Sequence, residues 1–157
     1  GIRPIGIDPF VSASSDFEEI AEPGSLRELL PAADCVFLTL PATDETSKFF
    51  GRAEFDLMKK NAGFVNISRG RVLDADALIR ALESGKISGA LLDVFDDEPL
   101  PADSPLWDAP NLTITPHMGC DDEENYIHRT FDIVMKNLWR FHRGERLENE
   151  IDPAKGY

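Results

Sequence analysis

Short apolar runs separated by stretches of helical spacing constrain this chain more than any other feature. Pro4–Ile7, Cys35–Leu40, Phe64–Ile67, Ala90–Phe95 and Leu112–Ile114 are brief, and most are rich in β-branched or aromatic side chains. Such runs read as strands buried on both faces. Candidate helices lie between them. Ser25, with Glu28 three residues on, reads as a capping box ahead of Leu29 and Leu30. Arg52–Lys60 carries Phe55 and Met58 three apart. Asp74–Gly85 is the clearest helix, with acidic residues in its first turn, Leu78 and Leu82 four apart, and a glycine stop. Strands alternating with helices of this length predict an α/β fold, a doubly wound parallel sheet joined by right-handed crossovers.

The last helix differs from the others. Between Asp121 and Arg143, Ile127, Phe131, Val134, Leu138 and Phe141 fall at spacings of 4, 3, 4 and 3, and Gly144 ends the pattern. That stripe is read as facing the core. The tail Glu145–Tyr157 is polar and reads as an extended strap. No internal repeat or low-complexity segment interrupts the chain.

Composition narrows the partners. The 157 residues suffice for about one domain, and 29 acidic against 16 basic side chains leave a net charge of −13. Such an excess repels phosphate backbones and anionic lipid heads, so neither nucleic acid nor a membrane is an expected partner. The apolar runs are far too short to span a bilayer. Cys35 and Cys120 are too few for a disulfide framework, and free thiols suit a reducing, cytoplasmic compartment. His128 and His142 lie 14 apart without ligand partners at metal spacing, so no metal site is expected.

In an open parallel sheet, ligands bind beyond the carboxyl ends of the strands. Here those ends read Asp8, Thr39-Leu40-Pro41, Ser68-Arg69-Gly70, Asp93 and Thr115-Pro116-His117. Asp8 can accept hydrogen bonds from a ribose and repel a 2′-phosphate, or it can simply turn the chain with Pro9. Arg69 offers a planar fork matched to a carboxylate; the plainer alternative is a surface ion pair. Glu98 and His117 form a possible couple, a buried carboxylate fixing the tautomer of an imidazole that gives a proton to a carbonyl oxygen. Taken singly, each is more often a loop histidine or one more acid in the run Asp96-Asp97-Glu98. Ser68 lacks the Gly-x-Ser-x-Gly surroundings of a nucleophile elbow.

Together these residues are familiar. Asn66-Ile67-Ser68-Arg69-Gly70 with Val72 and Asp74, then Leu92-Asp93-Val94-Phe95-Asp96-Asp97-Glu98-Pro99-Leu100-Pro101, then Thr115-Pro116-His117-Met118-Gly119, resemble the D-isomer-specific 2-hydroxyacid dehydrogenases. The resemblance covers nearly the whole chain. Ser104-Pro105-Leu106-Trp107 and the ending Asp152–Tyr157 look most like the glyoxylate and hydroxypyruvate reductase-like branch. It implies a Rossmann-like fold, NAD as cofactor and a small 2-oxo acid as substrate. By the same resemblance, Arg69 binds the substrate carboxylate and keto oxygen, His117 is the acid/base, and Glu98 pairs with it. Asp8 matches the ribose-binding acid, and Thr39, Leu40 and Pro41 the loop under the adenosine. Ile67, Ser68 and Asp93, with Arg69 and His117, match the nicotinamide half of the cofactor site. Gly119 fits a close approach after the histidine, whereas Cys120-Asp121 departs from the small neutral residues usual there.

No Gly-x-Gly-x-x-Gly occurs, and the resemblance begins at the second strand of the nucleotide fold. Residues 1–120 are therefore expected to be a partial NAD-binding domain. Residues 121–157 are expected to form a helix and tail returning to a substrate domain. In the order 3-2-1-4-5-6 the first strand is central, so its lack predicts two half-sheets with unpaired inner edges. The expectation is a piece of a longer polypeptide or a truncated product, binding NAD poorly and turning over little alone; the family suggests a homodimer. A rival reading is a noncatalytic NAD-sensing, corepressor-like module, and another an inactive fragment. Arg69, Glu98 and His117 together favour the enzyme, because a sensor needs no proton donor.

Overall fold

The computed structural model describes residues 1–119, 122 and 125–151. All five expected strands form: β1 (Ile5–Ile7), β3 (Cys35–Leu38), β4 (Gly63–Asn66), β5 (Gly89–Leu92) and β6 (Leu112–Ile114). A further short strand, β2 (Glu19–Ala21), pairs with β1. Its single large apolar residue, Ile20, gives no periodic signal. Backbone bonds fix it instead, from Glu18 N–H to Pro4 O at 3.0 Å and Asp8 N–H to Ala21 O at 3.2 Å. The helices are α1 (Leu26–Leu29), α2 (Arg52–Leu57), α3 (Ala75–Glu83) and α4 (Tyr126–His142).

Every strand pair is parallel, so each connection crosses over rather than turning back as a hairpin; α2 and α3 make two of these crossovers. Strands β3-β4-β5-β6 form one sheet, while β1 and β2 form a second of their own. The parallel strands are thus divided between two sheets of two and four strands, and the expected half-sheets are both present. The apolar runs outlast the ladders: Thr39-Leu40, Ile67 and Asp93–Phe95 leave the sheet as loops. Those loops make the functional rim.

Local signals fared unevenly. Asp74 caps α3 by accepting from Ala77 N–H at 3.1 Å, and Gly85 ends it at φ +65°. Ser25 makes no side-chain cap. It closes the turn Pro23–Ser25 and is itself helical, at φ −81° and ψ −7°, so the extended backbone that a capping hydroxyl needs is absent. α2 stops at Leu57, short of Lys60, because Met58 turns extended at ψ 150°.

Burial on both sheet faces does not hold. Leu38, Phe64, Asn66, Ala90 and Leu92 point into the core with Phe55 and Met58 of the α2 region and Leu78 and Leu82 of α3. The alternate residues, among them Cys35 and Phe37 (61% exposed), face outward. α4 corrects the sequence reading more sharply. Its stripe residues Ile127, Phe131, Val134, Leu138 and Phe141 are all exposed, and none of its residues is buried. The 4-3-4-3 spacing reports an amphipathic helix, but spacing does not say that this core supplies the opposing surface. The helix is instead tied to the following chain: Asn137 exchanges two bonds with the Glu148 backbone, and Arg140 pairs with the Glu148 carboxylate at 3.0 Å. The tail up to Ile151 thus folds back on α4 after Gly144 (φ +67°) rather than running out as a strap. Cys120, Asp121 and Asp152–Tyr157, and with them the proposed 120/121 boundary, lie outside the described residues.

Phe50, Phe55 and Phe64 meet at ring-centroid distances of 5.0 to 5.1 Å, each at most 1% exposed. Phe64→Ala should cost about 3–5 kcal/mol of unfolding free energy, since the cavity adds to the lost transfer energy. Urea unfolding of the chain measures it.

Candidate active site

β4 ends in a polar residue that the core must satisfy. Asn66 is fully buried, and its Oδ1 accepts from Ser68 N–H at 3.0 Å and Ser68 Oγ–H at 2.6 Å. Its Nδ2 donates to Arg69 O at 3.3 Å. The chain therefore bends tightly and delivers Arg69 to the rim, one guanidinium nitrogen resting on Ser68 O at 2.7 Å. Gly70 follows because only glycine fits: a Cβ there would sit 2.0 Å from the carbonyl carbon of Phe95. That contact seats the Arg69 loop against the loop carrying Glu98.

After β5, Asp93 is 3% exposed and serves as an anchor. Oδ1 accepts from Thr115 Oγ–H and from Met118 N–H at 3.0 Å, and Oδ2 from Gly119 N–H at 2.7 Å. A Cβ on Gly119 would lie 2.7 Å from Oδ2, which explains the glycine. Burial pushes the Asp93 carboxyl up, but these three bonds and the field of His117 outweigh it, holding the group below the usual carboxylate range. The turn so gripped contains His117, whose backbone is left-handed at φ +53°.

His117 Nδ1 lies 2.7 Å from Glu98 Oε2, while Glu98 Oε1 accepts from Phe95 N–H at 2.9 Å. With both carboxylate oxygens engaged, Glu98 fixes the ring so that Nε2 is the nitrogen left for a substrate proton. The expected couple exists, but it is not buried: the side chains are 43% and 36% exposed, because the cleft opens to solvent beside them. The His117 hydrogen bond chiefly, then the Phe95 amide, and more weakly the fields of His117 and Arg69, lower the Glu98 pKa against a desolvation that raises it. The pair should therefore stabilise the fold fully above the unfolded glutamate pKa of about 4.3. That contribution is lost as pH falls through the lower folded value. An NMR titration of the Glu98 side-chain carboxyl checks the direction.

Arg69, Glu98 and His117 line one cleft of about 450 Å³ together with Ala42, Gly70, Arg71, Phe95 and Asp96. A planar cation, an imidazole and its carboxylate partner at one opening can hold a small anion and exchange a proton with it. Ser68 is buried behind them, and Ile67 is 45% exposed with its N–H on Leu38 O at 3.3 Å. Thr39 and Pro41 are exposed and Leu40 packs on the core; Pro41 O accepts from Thr46 Oγ–H at 2.7 Å. Asp8 is not joined to this group. It stands at the end of β1 on the separate sheet, and its Oδ1 takes Phe10 N–H at 2.7 Å and Val11 N–H at 2.9 Å, the turn-forming role. The sequence reading assigned Asn66 no role; its signal is a carboxamide closing the apolar run Phe64-Val65. No cluster of three metal-ligating side chains occurs among the described residues.

The family described as D-isomer specific 2-hydroxyacid dehydrogenase, NAD binding domain, matches residues 1–119. A glyoxylate/hydroxypyruvate reductase B of Citrobacter koseri is 54% identical over 128 residues, covering 82% of this chain and 39% of that protein. A D-3-phosphoglycerate dehydrogenase of Methanocaldococcus jannaschii is 39% identical over 155 residues, 97% of this chain and 29% of that protein. Among solved structures, an NADPH-dependent glyoxylate/hydroxypyruvate reductase from Sinorhizobium meliloti, in complex with NADP and sulfate, superposes with a TM-score of 0.89 at 30% identity. It covers all of this chain and 50% of that one. The chain thus spans well under half the length of the curated relatives it matches. On the family match over residues 1–119 and the likeness of its parallel sheet to these solved structures, the chain belongs to the D-isomer-specific 2-hydroxyacid dehydrogenases, through their NAD-binding domain.

Proposed function

We propose that this chain is the catalytic rim of an NAD-dependent oxidoreductase acting on a small 2-oxo acid or its D-2-hydroxy counterpart, glyoxylate and hydroxypyruvate foremost. The observation that carries the reading is the 2.7 Å contact between His117 Nδ1 and Glu98 Oε2 in the cleft that Arg69 also lines. Arg69 holds the substrate carboxylate and leans on the keto oxygen. His117 gives that oxygen a proton, and Glu98 compensates the imidazolium in the reverse direction. The nicotinamide, when bound, supplies the hydride. Asp8, Thr39, Leu40, Pro41, Ile67, Ser68, Arg69, Asp93, His117 and Gly119 would hold the cofactor. The cleft lined by Arg69, Glu98 and His117 suits the nicotinamide end, whereas Asp8 stands on the separate sheet and a glycine-rich pyrophosphate turn does not occur in these 157 residues. The Asp8 carboxylate supports NAD over NADP, since it would repel a 2′-phosphate.

Residues 1–120 would work as part of a longer polypeptide, with 121–157 leading to a substrate domain. The split sheet and the share of the relatives' length support this. A cytoplasmic homodimer completes the proposal, the compartment resting on the free Cys35 thiol and the partner on the family. No helix among the described residues is long and apolar enough to cross a membrane.

The test is NADH oxidation by glyoxylate and by hydroxypyruvate, using the polypeptide that carries residues 1–157. Turnover with at least one is expected. Failure with every 2-oxo acid tried would overturn the proposal in favour of an NAD-sensing module.

A further inference from the structure

We propose that Asn66 is a positioning residue for the substrate-binding arginine: its carboxamide shapes the loop that presents Arg69. This rests on the reading of Arg69 as the carboxylate-binding group.

A fully buried carboxamide at the end of a strand must find partners within the protein, and every partner of this one lies in the next three residues. Oδ1 gathers Ser68 N–H and Ser68 Oγ–H, while Nδ2 holds Arg69 O. One side chain thereby fixes the peptide that enters Ser68 and the peptide that leaves Arg69. The far side is fixed independently, by Gly70 against the Phe95 carbonyl. Arg69 itself is extended, at φ −145° and ψ 147°, and its guanidinium touches Ser68 O. The loop is therefore held at two points, and Asn66 is the one made by a side chain. Its own backbone carbonyl accepts from Asp93 N–H at 3.0 Å, a main-chain bond that aspartate or alanine at this position can equally accept. Side-chain variants should thus leave the anchoring of the His117 turn in place.

The chemistry selects the variants. Asn66→Asp keeps an acceptor for Ser68 but puts an oxygen where Nδ2 met Arg69 O, so it strikes the arginine contact. Asn66→Ala removes all three bonds. Both are compared with wild type in the polypeptide carrying residues 1–157, by steady-state kinetics with glyoxylate and by oxalate binding in the presence of NADH, read from cofactor fluorescence. For Asn66→Asp the expected result is a KM for glyoxylate and an oxalate Kd raised at least about tenfold, the equivalent of about 1.4 kcal/mol. The KM for NADH should stay within about twofold, against the same 1.4 kcal/mol per decade. A purely structural role would instead lower the melting temperature and the active fraction, leaving the KM for glyoxylate unchanged, and that outcome overturns the inference. Should either variant fail to fold, amide exchange in the wild-type chain decides. The Ser68 N–H must be strongly protected behind the carboxamide, and exchange at the free-peptide rate overturns the proposal. Absence of wild-type turnover with any 2-oxo acid overturns the underlying reading and this inference together; wild-type turnover with unaltered variant KM overturns this inference alone.

Discussion

Replacing His117 with glutamine should lower kcat for 2-oxo acid reduction by about 10²–10⁴-fold, the usual range for removing a positioned acid–base group. Glutamine keeps a hydrogen-bonding side chain of similar reach but cannot carry a proton at neutral pH. The loss should therefore appear in kcat, with the KM for glyoxylate little changed, because Arg69 still supplies the carboxylate contact. The geometry makes this a demanding substitution. His117 occupies a left-handed backbone in a turn gripped by Asp93, and its ring is held by a carboxylate whose other oxygen is fixed to a main-chain amide. Rate constants from stopped-flow NADH absorbance, at saturating cofactor, check it. A variant retaining more than half the wild-type kcat would remove His117 from the mechanism.

The second large effect concerns the cofactor. Residues 1–157 alone should bind NADH at least about 100-fold more weakly than a polypeptide that adds a strand and glycine-rich turn, a difference of about 2.7 kcal/mol. Pyrophosphate is held in such folds by main-chain N–H groups at a helix N-terminus behind that turn. Nothing in this sequence replaces it, and a net charge of −13 opposes a dianion. The ribose end suffers too, since Asp8 sits on a sheet that shares no ladder with the strands delivering Asp93 and His117. Fluorescence titration of the two proteins with NADH gives the ratio. Micromolar binding by the 157-residue chain would show that the cofactor needs no such turn.

What the sequence made legible follows from which interactions are local. The strands of the larger sheet and helix α3 announce themselves through periodicity and a capping aspartate, and all formed where expected. The trio Arg69, Glu98 and His117 was legible only as a set, because each residue alone has a commoner explanation. Two of the differences share one cause. Burial of the second sheet face and of the α4 stripe depends on an opposing surface, and hydrophobic spacing records only that one is wanted. Asn66 was missed because a buried carboxamide is defined by its partners rather than by any pattern along the chain. Strand β2 escaped notice since main-chain pairing, not composition, creates it.

The end strands β1 and β3 of the two sheets bear on how the protein behaves in solution. Each of these strands has one edge with no partner strand among the described residues, a template onto which another extended chain can add. Mutual repulsion among copies bearing thirteen surplus negative charges is what opposes such stacking. Raising ionic strength from 0.01 M to 1 M shortens the reach of that repulsion from about 30 Å to about 3 Å. Colloidal behaviour should consequently depend on salt, with turbidity rising as the screening length contracts.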